Sequence, residues 1–355
     1  MNSEKKFFHS NTAIVTLFAA CFVVLISLGV RQTFGLFFID FNESLNISNT
    51  AFGFAIGTQM LMWGLTGPIF GAIADRFGGH VAIISSFLFY TLGVYFLYSG
   101  PNTGIFFQIH LGLLIGIGLG GTAISIPMSI VGKHFPLSNR TIAMSIVTAV
   151  GSFGYFISPI FTNYSLIEYG WNYTLFLFSL FLVTGLIAAF FVRSPKENEI
   201  VENRSDQSFK EALSEAFKSK SYILLVSGFF VCGFHITLVG THVPKYVIDR
   251  GLEDWTAAAI LSLIGLFNIF GSLLSGYLST KISKKVLLSA IYLLRGFSIA
   301  FFIFTPPSVL SAFIFGASFG FLWLSTVPAT SGIVAHLFGT KYLGLLYGIV
   351  FLSHQ

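Results

Sequence analysis

Charge is what this sequence has least of. Charged residues fill 9% of its 355 positions while hydrophobic residues fill 54%, against about a quarter charged in a soluble globular domain. A chain so composed cannot hide its apolar surface from water, and a soluble fold is excluded. Cysteine is nearly absent. Cys21 and Cys232 each lie inside an apolar stretch, where a thiol behaves as a small hydrophobe, so no disulfide framework is implied. No His, Cys and acid cluster has metal-ligand spacing, and neither a metal nor a cofactor is expected. The net charge of +5 is carried in short loops between apolar runs, with no aromatic-interleaved basic face, so nucleic acid is not a partner. Acidic residues are missing from one place above all: the 14 of them fall in loops or at the ends of apolar runs, and none lies within a run.

What the sequence does have is apolar stretches of the length a helix needs to cross about 30 Å of hydrocarbon. They run over 12–38, 51–74, 81–98, 104–130, 142–164, 174–192, 222–243, 255–278, 286–304 and 308–335, and an eleventh opens near Tyr342. The first is too long for a signal-peptide core and no small-residue cleavage pattern follows it, so it reads as a retained span. Sorting the basic residues gives the orientation, because positive loops are kept on the cytoplasmic side. With the N-terminus inside, only Lys245 and Arg250 fall outside and only Arg31 and Arg295 fall within runs; every other Lys and Arg, from Lys5 and Lys6 to Lys341, is cytoplasmic. A multi-pass protein of the cell inner (plasma) membrane is expected, with a cytoplasmic N-terminus and the lipid bilayer as its solvent. One long polar segment, 193–221, divides the chain into an N-terminal half, 1–192, and a C-terminal half, 222–355. Two halves of six spans would need one and a half more helices after Gln355, and the expectation is that the last one and a half are missing by truncation.

An internal repeat supports that division. Gly71-Ala-Ile-Ala-Asp75-Arg76-Phe-Gly78-Gly79-His80 aligns with Gly276-Tyr-Leu-Ser-Thr280-Lys281-Ile-Ser283-Lys284-Lys285. Each copy leaves a span with a glycine, turns tightly and supplies basic residues. In the first copy Asp75 is placed to accept hydrogen bonds from helix N-termini and basic groups of a neighbouring loop, a latch between helices. Parallel repeats joined by a charged loop describe a transporter architecture.

On these residues the chain resembles the major facilitator superfamily, whose loop signature is matched at Gly71, Asp75, Arg76 and Gly78; Gly79 and His80 replace the usual basic pair, and Thr280 replaces the acid in the second copy. The segments Arg31 to Phe37, Gly228 to His235, Thr241 to Pro244, Leu266 to Ile269 and Trp323 to Pro328 are similar to bacterial members of its monocarboxylate and oxalate/formate branch. The resemblance implies an all-α integral membrane fold of two pseudo-repeated six-helix halves, with spans 1, 4, 7 and 10 lining a central cavity. It also shows departures. Where animal monocarboxylate carriers have an Asp and an Arg one turn apart in span eight, Asn268 and Ser272 stand here, and the arginine of oxalate-type carriers in that span is absent. Substrate identity therefore does not carry over.

The candidate site follows from the missing acids. Arg31 and Arg295 are cations at membrane depth with no acidic partner in a span, which costs at least about 2.5 kcal/mol. An anionic solute, such as a carboxylate, would complete the donor fork of Arg31; the alternative is that Arg31 snorkels outward or bonds to backbone carbonyls, Asp40 or Glu43. Arg295 lies in span nine, a peripheral helix in the resembled family, and carries either a binding or a structural role. His235 and His242 are seven residues apart on one face of span seven, and His235 is the candidate for accepting H+ as a coupling ion, against a neutral histidine bonded between helices. Gln32 and Trp323 complete the substrate-binding candidates, while Gln59 and Asn268 read as interhelical glue. Pro328 is expected to break span ten. The function expected is secondary transport of a small organic anion by alternating access; the alternative is an exporter of amphiphilic compounds. No convergent His, Asp, Glu or activated Ser supports an enzyme.

Overall fold

In the computed structural model, residues 11–195 and 208–355 are described. The N-terminal Lys5 and Lys6, and Lys196 and Arg204 of the polar segment, lie outside them. All regular structure among the described residues is helical. It runs α1 (Asn11–Gln32), a short 3-10 turn (Phe34–Phe37), α2 (Phe38–Leu45), α3 (Asn49–Phe77) and α4 (Gly79–Ser99). A π-helical stretch (Gln108–Leu114) then leads into α5 (Ile115–Thr122) and α6 (Ser125–His134). They are followed by α7 (Leu137–Ala189), α8 (Phe209–Lys218), α9 (Lys220–Asp249), α10 (Asp254–Leu278), α11 (Lys284–Phe304), α12 (Val309–Leu322), α13 (Thr326–Phe338) and α14 (Leu343–His354).

Among the described residues, eight helical stretches are long and apolar enough to cross a membrane. One of them, Ser138–Ala189, spans 52 residues, about twice what one crossing needs, and contains two passes. Gly170 divides it with φ 79° and ψ 170°, a backbone conformation only glycine adopts without strain. The outer surface is apolar, as lipid requires: Phe18 is 70% exposed, Leu224 72% and Phe304 85%.

Two expected spans are not continuous helices. The fourth run, expected over 104–130, opens with the wider π turns and breaks again at Ala123 (φ −65°, ψ −109°). The tenth breaks upstream of the expected proline, at Trp323 to Ser325 between α12 and α13, and leaves Pro328 inside the first turn of α13. The physical reason is the proline ring. It clashes with the carbonyl four residues back and tolerates only the first turn of a helix, so the break falls at residue 324 and its neighbours.

The N-terminal helices α1 to α7 and the C-terminal helices α9 to α14 meet along two seams, α3 against α14 and α7 against α10. Glycine makes the first seam possible: a Cβ at Gly71 would run into the Gly344 carbonyl. In the second, Asn268 donates to Ser152 Oγ (2.9 Å) and accepts from the Leu324 backbone N–H (2.8 Å), tying α10 to α7 and to the break in span ten. Gln59 Nε2 donates to the Leu111 carbonyl (3.0 Å) within the N-terminal helices. A Cβ at Gly116 would lie 2.7 Å from the Gln59 carbonyl, so the span-four glycines let α3 approach closely.

Candidate functional site

Asp75, in the last turn of α3, faces the start of α14. Its Oδ1 accepts from Lys133 Nζ at 2.5 Å and from the Gly344 N–H at 3.3 Å, and its Oδ2 accepts from the Leu345 N–H at 2.8 Å. A carboxylate is stabilised there because the first N–H groups of a helix lack intrahelical partners and the helix dipole is positive at that end. Lys133 also approaches the Lys341 carbonyl (3.5 Å). The acid therefore joins span two, span four and the start of span eleven, and both side chains of the pair are nearly sealed from solvent (2% and 5% exposed). Arg76 is exposed with its guanidinium over the Phe77 ring, and Gly78 turns the chain with φ 98°. Ser194 Oγ accepts from the Gly79 N–H (2.9 Å), and His134 Nε2 lies 2.6 Å from the Arg193 carbonyl. Arg140 and Lys284 lie near this same end, Arg140 on the Gly132 carbonyl and Lys284 beside Gly332. The opposite end carries Arg250 in the turn after α9.

Arg31 ends α1 some twenty residues from the Asp75 end. It is half-buried, and its Nη2 rests on the Met60 sulfur at 2.9 Å while the guanidinium carbon lies 5.8 Å from the centre of the Trp63 ring. Its Nε is buried without any acceptor, and so is the Trp63 indole N–H. Among the described residues no carboxylate pairs with Arg31; Asp40 and Glu43 are not its partners. The phenols of Tyr90 and Tyr155 lie within reach of its charge. A buried donor left without an acceptor costs about 1–3 kcal/mol.

From Trp63 a file of rings crosses the seam. Its ring lies 5.7 Å from Phe351 of α14, Phe351 stacks on His354 at 5.2 Å, and Phe229 of α9 lies 5.8 Å from Phe351 and 5.1 Å from His354. Arg295, on α11, is wholly buried. Its Nε and Nη2 donate to the Leu322 carbonyl (3.0 and 2.6 Å), its Nη2 also meets the Trp323 carbonyl and Thr326 Oγ1, and its Nη1 donates to Cys232 Sγ at 3.0 Å. The Tyr292 ring lies 5.6 Å from its guanidinium. Each nitrogen of Arg295 thus has an acceptor in the protein, and the carbonyls are those freed at the C-terminal end of α12. A cation there satisfies the last carbonyls of a helix and complements its dipole.

The other candidates are spread. His235 is half-buried with its Nδ1 buried and unpartnered; His242, two turns on, is exposed, as is Gln32 beside Arg31. Trp323 sits at the break, its ring 5.4 Å from Phe319. No contact joins Gln32 or His242 to Arg31 among the described residues. Reading the sequence missed Met60, Trp63, Phe351 and Cys232. The signal available for Trp63 was a lone indole in the middle of an apolar span, where its N–H needs a partner.

A family model described as the Major Facilitator Superfamily matches residues 20–355. The chain belongs to that superfamily and is a membrane transporter, not an enzyme. It is 23% identical to the MFS-type transporter YcxA of Bacillus subtilis (strain 168), over 95% of this chain and 84% of that one. It is 25% identical to Monocarboxylate transporter 6 of Mus musculus, over 80% of this chain and 65% of that one. Among solved structures it is similar to the fucose:proton symporter FucP of Escherichia coli, with a TM-score of 0.76 at 14% identity, covering 97% of this chain and 90% of that one.

Proposed function

We propose that this transporter moves a small organic anion, a carboxylate, across the cell inner membrane by alternating access, with Arg31 as the group that attracts it. One observation carries the reading: a guanidinium at membrane depth, with no carboxylate partner among the described residues and a buried Nε that lacks an acceptor. A carboxylate supplies both the negative charge and the acceptor oxygens, and a planar guanidinium takes it in a two-pronged contact that an ammonium cannot match. The similarity to a monocarboxylate transporter by name supports the same class of solute. Gln32, His235, His242 and Trp323 belong to the same proposal as solute-orienting groups, and H+ is the candidate coupling ion.

In this reading the halves are 1–192 and 222–355, joined by 193–221, and the N-terminus is cytoplasmic because basic residues gather at the Asp75 end. Gly71, Asp75, Arg76 and Gly78 form the latch: Asp75 holds α14 while the cytoplasmic side is closed, and the halves part there when it lets go.

Uptake into proteoliposomes of radiolabelled monoacids and diacids tests the proposal. Saturable uptake of at least one acid, lost in Arg31→Gln with the protein still folded, is expected. Efflux of cationic dyes with no uptake of any acid would replace it with export of amphiphilic compounds, to which a protein with 17% aromatic residues is also suited.

A further inference from the structure

Arg295 has acceptors for its nitrogens but no carboxylate partner among the described residues, and the structure puts one candidate counter-charge against it. Cys232 is wholly buried on α9, and its sulfur meets a guanidinium and a hydroxyl. Arg295 Nη1 lies 3.0 Å away and Thr326 Oγ1 3.3 Å away, and Tyr292 of α11 and His354 of α14 are the neighbouring titratable groups. The Tyr347 hydroxyl of α14, buried and without a hydrogen-bond partner, is within electrostatic reach of the sulfur. On α9 itself His235 is one turn further on. No acidic residue stands in the apolar stretches of α9, α11, α12, α13 or α14.

A neutral thiol accepts hydrogen bonds weakly, whereas charge-assisted bonds to an anion are short and strong. A guanidinium and a hydroxyl converging on one sulfur from two neighbouring helices suit the anion. A buried cation without a counter-charge is the costly alternative, and ionising the thiol removes that cost without any carboxylate in the spans.

We propose that Cys232 and Arg295 form a buried thiolate–guanidinium pair, and that this thiolate is the group that takes up and releases a proton during transport. Protonation makes the S–H bond from a sulfur lone pair and a proton taken from water when the halves part. It removes the negative charge that Nη1 faces and leaves Arg295 held by the Leu322 and Trp323 carbonyls and Thr326. The bond between α9 and the break of span ten weakens as a result. Release of the proton restores it. The first half of the proposal stands on the structure alone; the second rests on the transport reading above.

Two measurements test it. The chain has only two cysteines, so in a Cys21→Ser background the ultraviolet absorbance of a thiolate reports Cys232 alone. The purified protein at neutral pH, below tyrosine ionisation, should show one thiolate per chain that is lost on acidification and is missing from Cys21→Ser/Cys232→Ser. Coincident spectra for the two proteins would overturn the ion pair, whether or not any solute is carried. In proteoliposomes, Cys232→Ser should lower anion uptake and abolish the pH dependence of what remains. Cys232→Asp should restore the dependence, displaced to lower pH because a carboxylic acid ionises below a thiol. An unaltered pH profile in Cys232→Ser would overturn the proton role. Absence of uptake in the unmutated protein would defeat the transport reading and leave the spectra to decide the pair.

Discussion

At the scale of single residues, the two intramembrane arginines were legible from the sequence because charge is so scarce in the apolar runs. Their partners were not. Met60, Trp63 and Cys232 sit on helices whose rotation no periodicity specifies when apolar residues cover every face. Asp75 shows the same limit at long range: its acceptor role follows from the loop signature, but the N–H groups it binds lie up to 270 positions further along the chain. The pair it makes with Lys133 gives a prediction. Both side chains are nearly sealed from solvent, and removing one partner of a buried ion pair costs about 3–5 kcal/mol because the other charge is stranded. Asp75→Asn is expected to lower the thermal unfolding temperature in detergent, and adding Lys133→Met should recover much of the loss. If the double variant is no more stable than Asp75→Asn, the pair is not the main source of that stability. Arg31 makes the contrasting case. With no protein carboxylate to strand, Arg31→Gln should leave the unfolding temperature nearly unchanged while uptake falls, and a large loss of stability would mark Arg31 as structural.

Among the elements, α8 was read only as polar linker, yet it is a helix opened by a capping box. Ser208 Oγ accepts from the Glu211 N–H at 3.3 Å and Glu211 Oε2 accepts from the Ser208 N–H at 2.7 Å. The spacing of Ser208 and Glu211 is the sequence signature of such a box. The bond from the Ser208 N–H holds the Glu211 carboxyl below its ordinary range. Its contribution to the helix is therefore present above the ordinary glutamate range and is lost as pH falls through the lowered value. Amide exchange at Ser208, whose N–H the Glu211 carboxylate accepts, should accelerate, relative to its intrinsic rate, as pH drops from about 6 to about 3. Glu211→Ala should show the fast exchange throughout. Span ten teaches a different lesson at this scale. Pro328 announced a break, and its ring displaced that break upstream to residue 324, where Asn268 and Arg295 collect the freed backbone groups. Arg295→Lys keeps the charge but offers one nitrogen in place of three. It should destabilise the protein by about 1–3 kcal/mol, the cost of buried carbonyls left unpaired, measured by denaturation in detergent.

For the whole molecule, the long apolar runs and the loop signature carried the fold, because crossing a membrane leaves a helix few choices. The conformation was not legible, since it depends on which half-to-half contacts are made. The contacts named across the seams fall between the middle of the bundle and the Asp75 end: Gly71 with Gly344, Trp63 with Phe351, Asn268 with Ser152 and Ser331 with Met144 at 3.3 Å. Close backbone approach at Gly71 is what allows the join, so a bulky side chain should pry it apart. Spin labels on α3 and α14 near the Asp75 end are expected to lie farther apart in Gly71→Leu than in the unmutated protein. Labels on α9 and α1 at the opposite end should draw closer, as the halves rock about the middle. A widening at one end with no narrowing at the other would mean local melting of the seam, and rigid-body alternation between the halves would then be the wrong description of this carrier.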